Sequence, residues 1–107
     1  MSSLTRLLST AAVVCLLSVA AHAQNPGATL FQSNCVMCHG SDGKGNTPTG
    51  QALKVANLHD AAVVKLNDAE LADVIRKGKN NMPAFGARLS TPQIESLVAY
   101  IRVLQKK

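Results

Sequence analysis

The sequence predicts a small all-α domain, and three observations carry that prediction. Residues 24–107 contain no alternating, β-branched run of the kind a strand requires. The segment LSTPQIESLVAYIRVL, residues 89–104, repeats its apolar side chains at spacings of three and four. Near the other end, Gly27, Phe31, Cys35 and Cys38 follow one another at spacings of four, four and three, which places them on one helical face.

The first element precedes the domain. One arginine at position 6 is followed by an uncharged, mostly apolar run from Leu7 to Ala21 and then by Ala21-His22-Ala23. That order of charged, apolar and small residues is the order of a secretory signal peptide, with cleavage expected after Ala23. The apolar run is 15 residues long, shorter than the roughly 20 a membrane-spanning helix needs. Residues 1–23 are therefore expected to be removed on export to the periplasm, leaving residues 24–107 as one domain with no stable membrane insertion. Cys15 leaves with the peptide, so Cys35 and Cys38 are the cysteines that remain.

In the domain itself, Asn25 caps a first helix that opens on Pro26, where the missing N–H costs nothing. Residues 40–59, rich in Gly, Asn, Thr and Pro, read as a loop with room for short helical turns. A further helix is signalled by NDAELADVIRKG, with Asn67 and Glu70 as a capping box, Gly78 as the stop, and Leu71, Val74 and Ile75 as the buried stripe. In the last helix Thr91 caps, Pro92 opens, and Ile94, Leu97, Val98, Ile101 and Leu104 form the core stripe. A chain this short builds a marginal apolar core, and its only aromatics are Phe31, Phe85 and Tyr100. Something besides side chains is expected to complete that core.

The residues NCVMCHG, 34–40, indicate what. Three chemistries use a Cys-x-x-Cys pair. A thioredoxin-like dithiol belongs beside a strand-helix-strand pattern, which is absent here, although a plain disulfide remains open in an oxidising compartment. Structural zinc needs four ligands, and beyond Cys35, Cys38 and His39 the domain offers only His59. Covalent haem attachment explains every position. Two thiols on one helical turn add to the two porphyrin vinyl groups, and the imidazole of the next residue, His39, lies beneath the iron as an axial ligand.

Together with GATLFQSNCVMCHG, the segments NMPAFG at 81–86 and LSTPQIESLVAYIRVL at 89–104 make the sequence resemble a small soluble class I cytochrome c. The resemblance runs from Gly27 to about Leu104 and rests on the ordered set, since CxxCH alone occurs in many unrelated haem proteins. It implies crossed N- and C-terminal helices, with Gly27 at the crossing, and a third helix and loops wrapped around one covalently bound haem c.

An axial histidine usually donates its other ring N–H to a carbonyl. Pro48 is a candidate acceptor for His39, and Thr47 or Thr49 fits the sequence equally well. For the sixth ligand, Met82 follows His39 by 43 residues, enough to cross to the opposite face, and Pro83 restricts its backbone to extended conformations. A soft thioether favours ferrous iron and raises the reduction potential. His59 is the alternative, giving a bis-histidine site. Met37 lies too close to His39 in the chain to reach the other face.

Losing Arg6 leaves ten basic against six acidic side chains, a net charge of +4. Arg76, Lys77, Lys79 and Arg88 flank Met82 and are candidates to steer an acidic redox partner, against the reading of an ordinary solvated surface. Nucleic-acid binding has no support, because basic residues are not interleaved with aromatics. No unexplained apolar stripe is left over, so a monomer is expected.

With both axial positions filled, iron exchanges electrons through the porphyrin edge, and the expected function is a periplasmic one-electron carrier between donor and acceptor proteins. It is not an enzyme on this reading. The alternatives are a haem enzyme or gas sensor with a displaceable sixth ligand, a haem subunit docked to a larger oxidoreductase complex, and a haem-free thiol module.

Overall fold

The protein is described here by a computed structural model covering residues 25–107. The expected signal peptide, residues 1–23, lies outside the described residues. Among the described residues there is no sheet, only an isolated antiparallel bridge between Lys79 and Met82. The elements in order are α1 (Pro26–Asn34), α2 (Val36–His39), α3 (Pro48–Leu53), α4 (Ala61–Val64), α5 (Asp68–Lys77) and α6 (Thr91–Gln105).

Helix α1 begins as the sequence implies: the Asn25 side chain accepts from the Gly27 and Ala28 N–H groups, with Pro26 opening the first turn. It crosses α6 at Gly27. A Cβ built there would meet the Ser96 carbonyl oxygen at 2.1 Å and the Tyr100 Cβ at 2.8 Å, so only a residue without a side chain allows this approach. One turn further on, Phe31 packs its ring 5.3 Å from that of Tyr100 at an angle of 55°.

The core is the interior side of this crossing. Phe31, Ile94 and Leu97 are fully buried, and Val98, Ile101 and Leu104 continue the α6 stripe. Leu71 and Ile75 of α5, with Leu58, Phe85 and Leu89 from connecting segments, close it on the other side. Val74, expected in the α5 stripe, is half-buried.

Three local features differ from the sequence expectation. The N-cap of α6 is Ser90, not Thr91: its Oγ accepts from the Gln93 N–H while the Gln93 side chain accepts from the Ser90 N–H. A glutamine three residues after serine completes a reciprocal box that threonine at 91 cannot make with Ile94. Secondly, the cysteine-bearing helix is interrupted at Cys35, whose φ of −119° separates α1 from the short α2. The Cys35 N–H still reaches the Phe31 carbonyl and the His39 N–H reaches Cys35, so the turn direction persists. Thirdly, Ala61–Val64 form the single turn α4 before α5. The capping box of Asn67 and Glu70 and the stop at Gly78 are as expected.

The segments on either side of α4 are tied to α6. Arg102 donates from Nε to Asp68 Oδ1 at 2.9 Å, from one terminal nitrogen to the Val64 carbonyl at 3.3 Å, and from the other to the Leu66 carbonyl. Gln105 donates to the Leu58 carbonyl at 2.8 Å.

Candidate functional site

Cys35 and Cys38 are free, half-buried thiols one helical turn apart. Burial, and then the neighbouring Cys38, push the Cys35 thiol up to about 11. Reactive dithiols depend on the opposite shift, toward a stabilised thiolate. Met37, between them, points outward and is 75% exposed.

His39 is the buried polar side chain of the core, 9% exposed. Its Nδ1–H donates to the Ala56 carbonyl at 3.1 Å. Because a carbonyl only accepts, Nδ1 carries the hydrogen and the lone pair sits on Nε2. Nε2 makes no hydrogen bond among the described residues. Burial lowers the pKa of His39 and the bond to Ala56 acts in the opposite sense, so the neutral ring is favoured.

Ala56 replaces the expected acceptors Pro48, Thr47 and Thr49. Pro48 and Thr49 are in the first turn of α3, where carbonyls point along the helix. Thr47 is spent elsewhere: its carbonyl accepts from the Gln51 N–H at 2.9 Å, while its hydroxyl donates toward the Met37 and Cys38 carbonyls, at 2.8 and 2.9 Å, and accepts from the Gly50 N–H at 2.8 Å. Gly50 lies so near the cysteine turn that a Cβ would meet the Cys38 carbonyl oxygen at 2.2 Å. Helix α3 is thereby seated directly on the CxxCH turn.

Met82 is half-buried and packs against the core cluster. It ends a two-residue turn in which Lys79 and Met82 exchange backbone hydrogen bonds of 3.1 and 2.9 Å and Asn80 adopts φ 52°. Asparagine tolerates that left-handed conformation. Immediately after the segment, the N–H groups of Phe85 and Gly86 donate to the Ile75 and Arg76 carbonyls at the end of α5. His59, the alternative ligand, donates from Nε2 to the Asp42 carbonyl at 2.7 Å, beside a surface cavity that Lys44 and Lys107 also line.

The expected basic cluster is partly neutralised. Arg76 and Lys77 both lie against Asp73, at 3.5 and 3.1 Å, and Arg88 stacks 4.6 Å from the Phe85 ring centroid. Lys79 is exposed. Sequence reasoning gave no role to Arg102, Gln105 or Asn81, whose carbonyl partners are 28 to 47 residues away and leave no periodic trace.

These residues fit a haem. A buried imidazole holds an unpartnered lone pair, two free thiols lie within one turn of it, and a thioether sits on the core. Leu30, Val36, Val63 and Leu66 pack against the core yet remain only partly covered. Among the described residues, no three His, Cys, Asp or Glu side chains are grouped to hold a metal ion by themselves.

Residues 22–101 match the family described as "Cytochrome C oxidase, cbb3-type, subunit III". The chain is 38% identical over 79 residues to cytochrome c6 of Aphanizomenon flos-aquae, covering 70% of this chain and 83% of that one. It is 39% identical over 84 residues to the cbb3-type cytochrome c oxidase subunit FixP of Azorhizobium caulinodans, covering 77% of this chain but spanning only 27% of that subunit. Among solved structures, the KustC0563 c-type cytochrome superposes with a TM-score of 0.67 at 28% identity, covering 74% of this chain and 96% of its own. Cytochrome c6C from Synechococcus sp. PCC 7002 superposes with a TM-score of 0.61 at 28% identity, covering 77% and 98%. The all-α architecture, with α1 crossed on α6, is thus that of the small c-type cytochromes. The chain belongs to the monohaem class I cytochrome c family and carries one covalently attached haem c.

Proposed function

We propose that the chain is a diffusible periplasmic one-electron carrier, with haem c attached through Cys35 and Cys38, His39 as the proximal iron ligand and Met82 as the distal one. The observation that carries this reading is the buried His39, whose Nδ1–H is fixed on Ala56 while Nε2 is left with a free lone pair. When bound, the haem supplies a ferric/ferrous couple. The protein's residues do the rest. Ala56 fixes the orientation and tautomer of His39 and strengthens it as a donor. The Met82 thioether would hold the iron, favour its reduced state and so keep small molecules off it. The all-round apolar packing of Phe31, Leu71, Ile94 and Leu97 excludes water from the interior.

The signal-peptide pattern in residues 1–23 supports export to the periplasm, and no helix among the described residues is long and apolar enough to cross a membrane. The protein acts as a monomer that meets its donor and acceptor proteins in turn. Lys79 and Arg88, exposed beside Met82, supply positive charge for an acidic docking surface. Cytochrome c6 relatives that match over most of their length support a free carrier.

A second reading is favoured by the match to cbb3-type oxidase subunits: a haem module that docks to a larger oxidoreductase complex. The chain corresponds to about a quarter of the length of FixP.

The test begins with expression in cells able to attach c-type haem. The secreted protein should have the mass of residues 24–107 plus one haem, and the ferric form should show the weak near-red absorption of sulfur-to-iron charge transfer. The reduced protein should not bind carbon monoxide readily. A mass equal to bare polypeptide would refute covalent attachment, and rapid carbon monoxide binding would point to an open iron. Stable co-purification with an oxidase from native membranes would select the second reading.

A further inference from the structure

The segment 79–84 packs on the core through Met82 and lies close against Gly78, yet few hydrogen bonds hold it. Its only internal bonds are the reciprocal pair between Lys79 and Met82, and Pro83 has no N–H to give. Anchoring to α5 starts only at Phe85. Among the described residues, one hydrogen bond ties the segment to an element other than α5: Asn81 Nδ2 donates to the Leu53 carbonyl at 3.1 Å, across 28 residues of chain.

The acceptor is itself immobilised. Leu53 is the last residue of α3, and Lys54 ends that helix in the left-handed region at φ 54°, which turns the chain away. At its other end α3 is fixed to the CxxCH turn by Thr47 and by the close approach of Gly50 to Cys38. The path from Cys38 through α3 to Asn81 and its neighbour Met82 is therefore continuous. It joins the two halves of the site, the attachment turn and the methionine segment, through backbone carbonyls and the side chains of Thr47 and Asn81.

We propose that Asn81 is a positioning residue, a latch whose amide holds the Met82 segment to α3 and so slows the departure of the thioether from the iron. The proposal rests on Met82 being the distal ligand. The turn contributes to the same end: Asn80 takes its left-handed conformation, and Asn81, which follows, reaches the Leu53 carbonyl. Opening the segment far enough to expose iron requires breaking the Asn81–Leu53 bond, whereas exchanging an electron through the porphyrin edge does not. The latch thus separates two properties, ligand access and electron transfer, that a looser loop would couple.

The test uses the haem-loaded full chain and imidazole as the entering ligand, which binds ferric iron only after the thioether leaves. Asn81→Ala removes the amide, and Asn81→Asp keeps its size while removing the N–H donor. Both should retain the haem, the near-red ferric band and a melting temperature close to wild type. Both should bind imidazole about five-fold faster at saturating concentration, the factor that one ordinary hydrogen bond provides. Asn81→Gln, which can still donate, should return part of the effect. Rates for Asn81→Ala and Asn81→Asp within two-fold of wild type, with the wild-type near-red band present, would overturn the latch alone. A wild-type protein lacking that band, with imidazole binding that increases linearly with concentration, would overturn the Met82 assignment and the latch with it.

Discussion

Gly27 and Ser96 set the depth at which α1 and α6 cross: a Cβ on Gly27 would lie 2.1 Å from the Ser96 carbonyl oxygen. Because the obstacle is backbone, no rotamer change relieves it. The same approach brings Phe31 onto Tyr100 and fixes the start of the turn that carries Cys35 and Cys38.

Gly27→Ala should therefore force the helices apart and loosen the Phe31–Tyr100 contact. Overpacking of this kind costs about 3 kcal/mol. In a domain of this size that is a fall of about 15 °C in melting temperature, to be followed by far-ultraviolet circular dichroism. A midpoint within about 3 °C of wild type would show that the crossing is plastic.

Arg102 gives a contrast between a charge pair and a backbone clamp. Its side chain is 25% exposed, while that of its partner Asp68 is 74% exposed. An ion pair so open to water contributes little, so Asp68→Asn should cost less than about 0.5 kcal/mol. Arg102→Met removes the donors to the Val64 and Leu66 carbonyls and frees α4 from α6, at about 2 kcal/mol. Urea titration of the two variants side by side checks the ranking. Equal losses would mean that the charge pair, not the carbonyl clamp, holds this joint.

The reassigned cap of α6 is tested in the same way. Ser90→Ala removes the acceptor for the Gln93 N–H and should cost about 1 kcal/mol. Thr91→Ala, at an exposed first-turn position, should change stability by less than about 0.5 kcal/mol. The reverse order would restore Thr91 as the cap.

What was legible in the sequence was local or periodic. The α6 stripe, the Asn67–Glu70 box, the Asn25 cap and the CxxCH spacing are written within one or two turns of chain, and the structure reproduces each. The cap of α6 was misplaced by one residue because Ser90 and Thr91 are both good caps, and only the partner three residues on tells them apart. The acceptor for His39 was missed for a different reason. Ala56 contributes a carbonyl, which every residue has, and it lies 17 residues away in a segment with no period. Asn81 and Arg102 also act on carbonyls, and a backbone acceptor has no signature in side-chain identity. The basic cluster near Met82 turned out to be half-spent on Asp73 because α5 brings Arg76 and Lys77 within reach of it at spacings of three and four.

The distal ligand separates most cleanly by substitution. Met82→Ala removes the thioether from a half-buried position without touching Cys35, Cys38 or the His39–Ala56 bond, so haem should stay attached and the helices should form. Loss of a ligand that favours ferrous iron should lower the reduction potential by on the order of 0.1 V, a modest part of the ~0.8 V range that axial ligands span. The vacated position should also let carbon monoxide bind the reduced form rapidly. His59→Ala is the matched control, because the His59 Nε2–H is already given to the Asp42 carbonyl, and it should leave the potential within about 0.02 V of wild type. Redox titration of the two variants, paired with carbon monoxide mixing, decides between them. A potential that moves with His59 and stays fixed with Met82 would transfer the sixth position to the histidine.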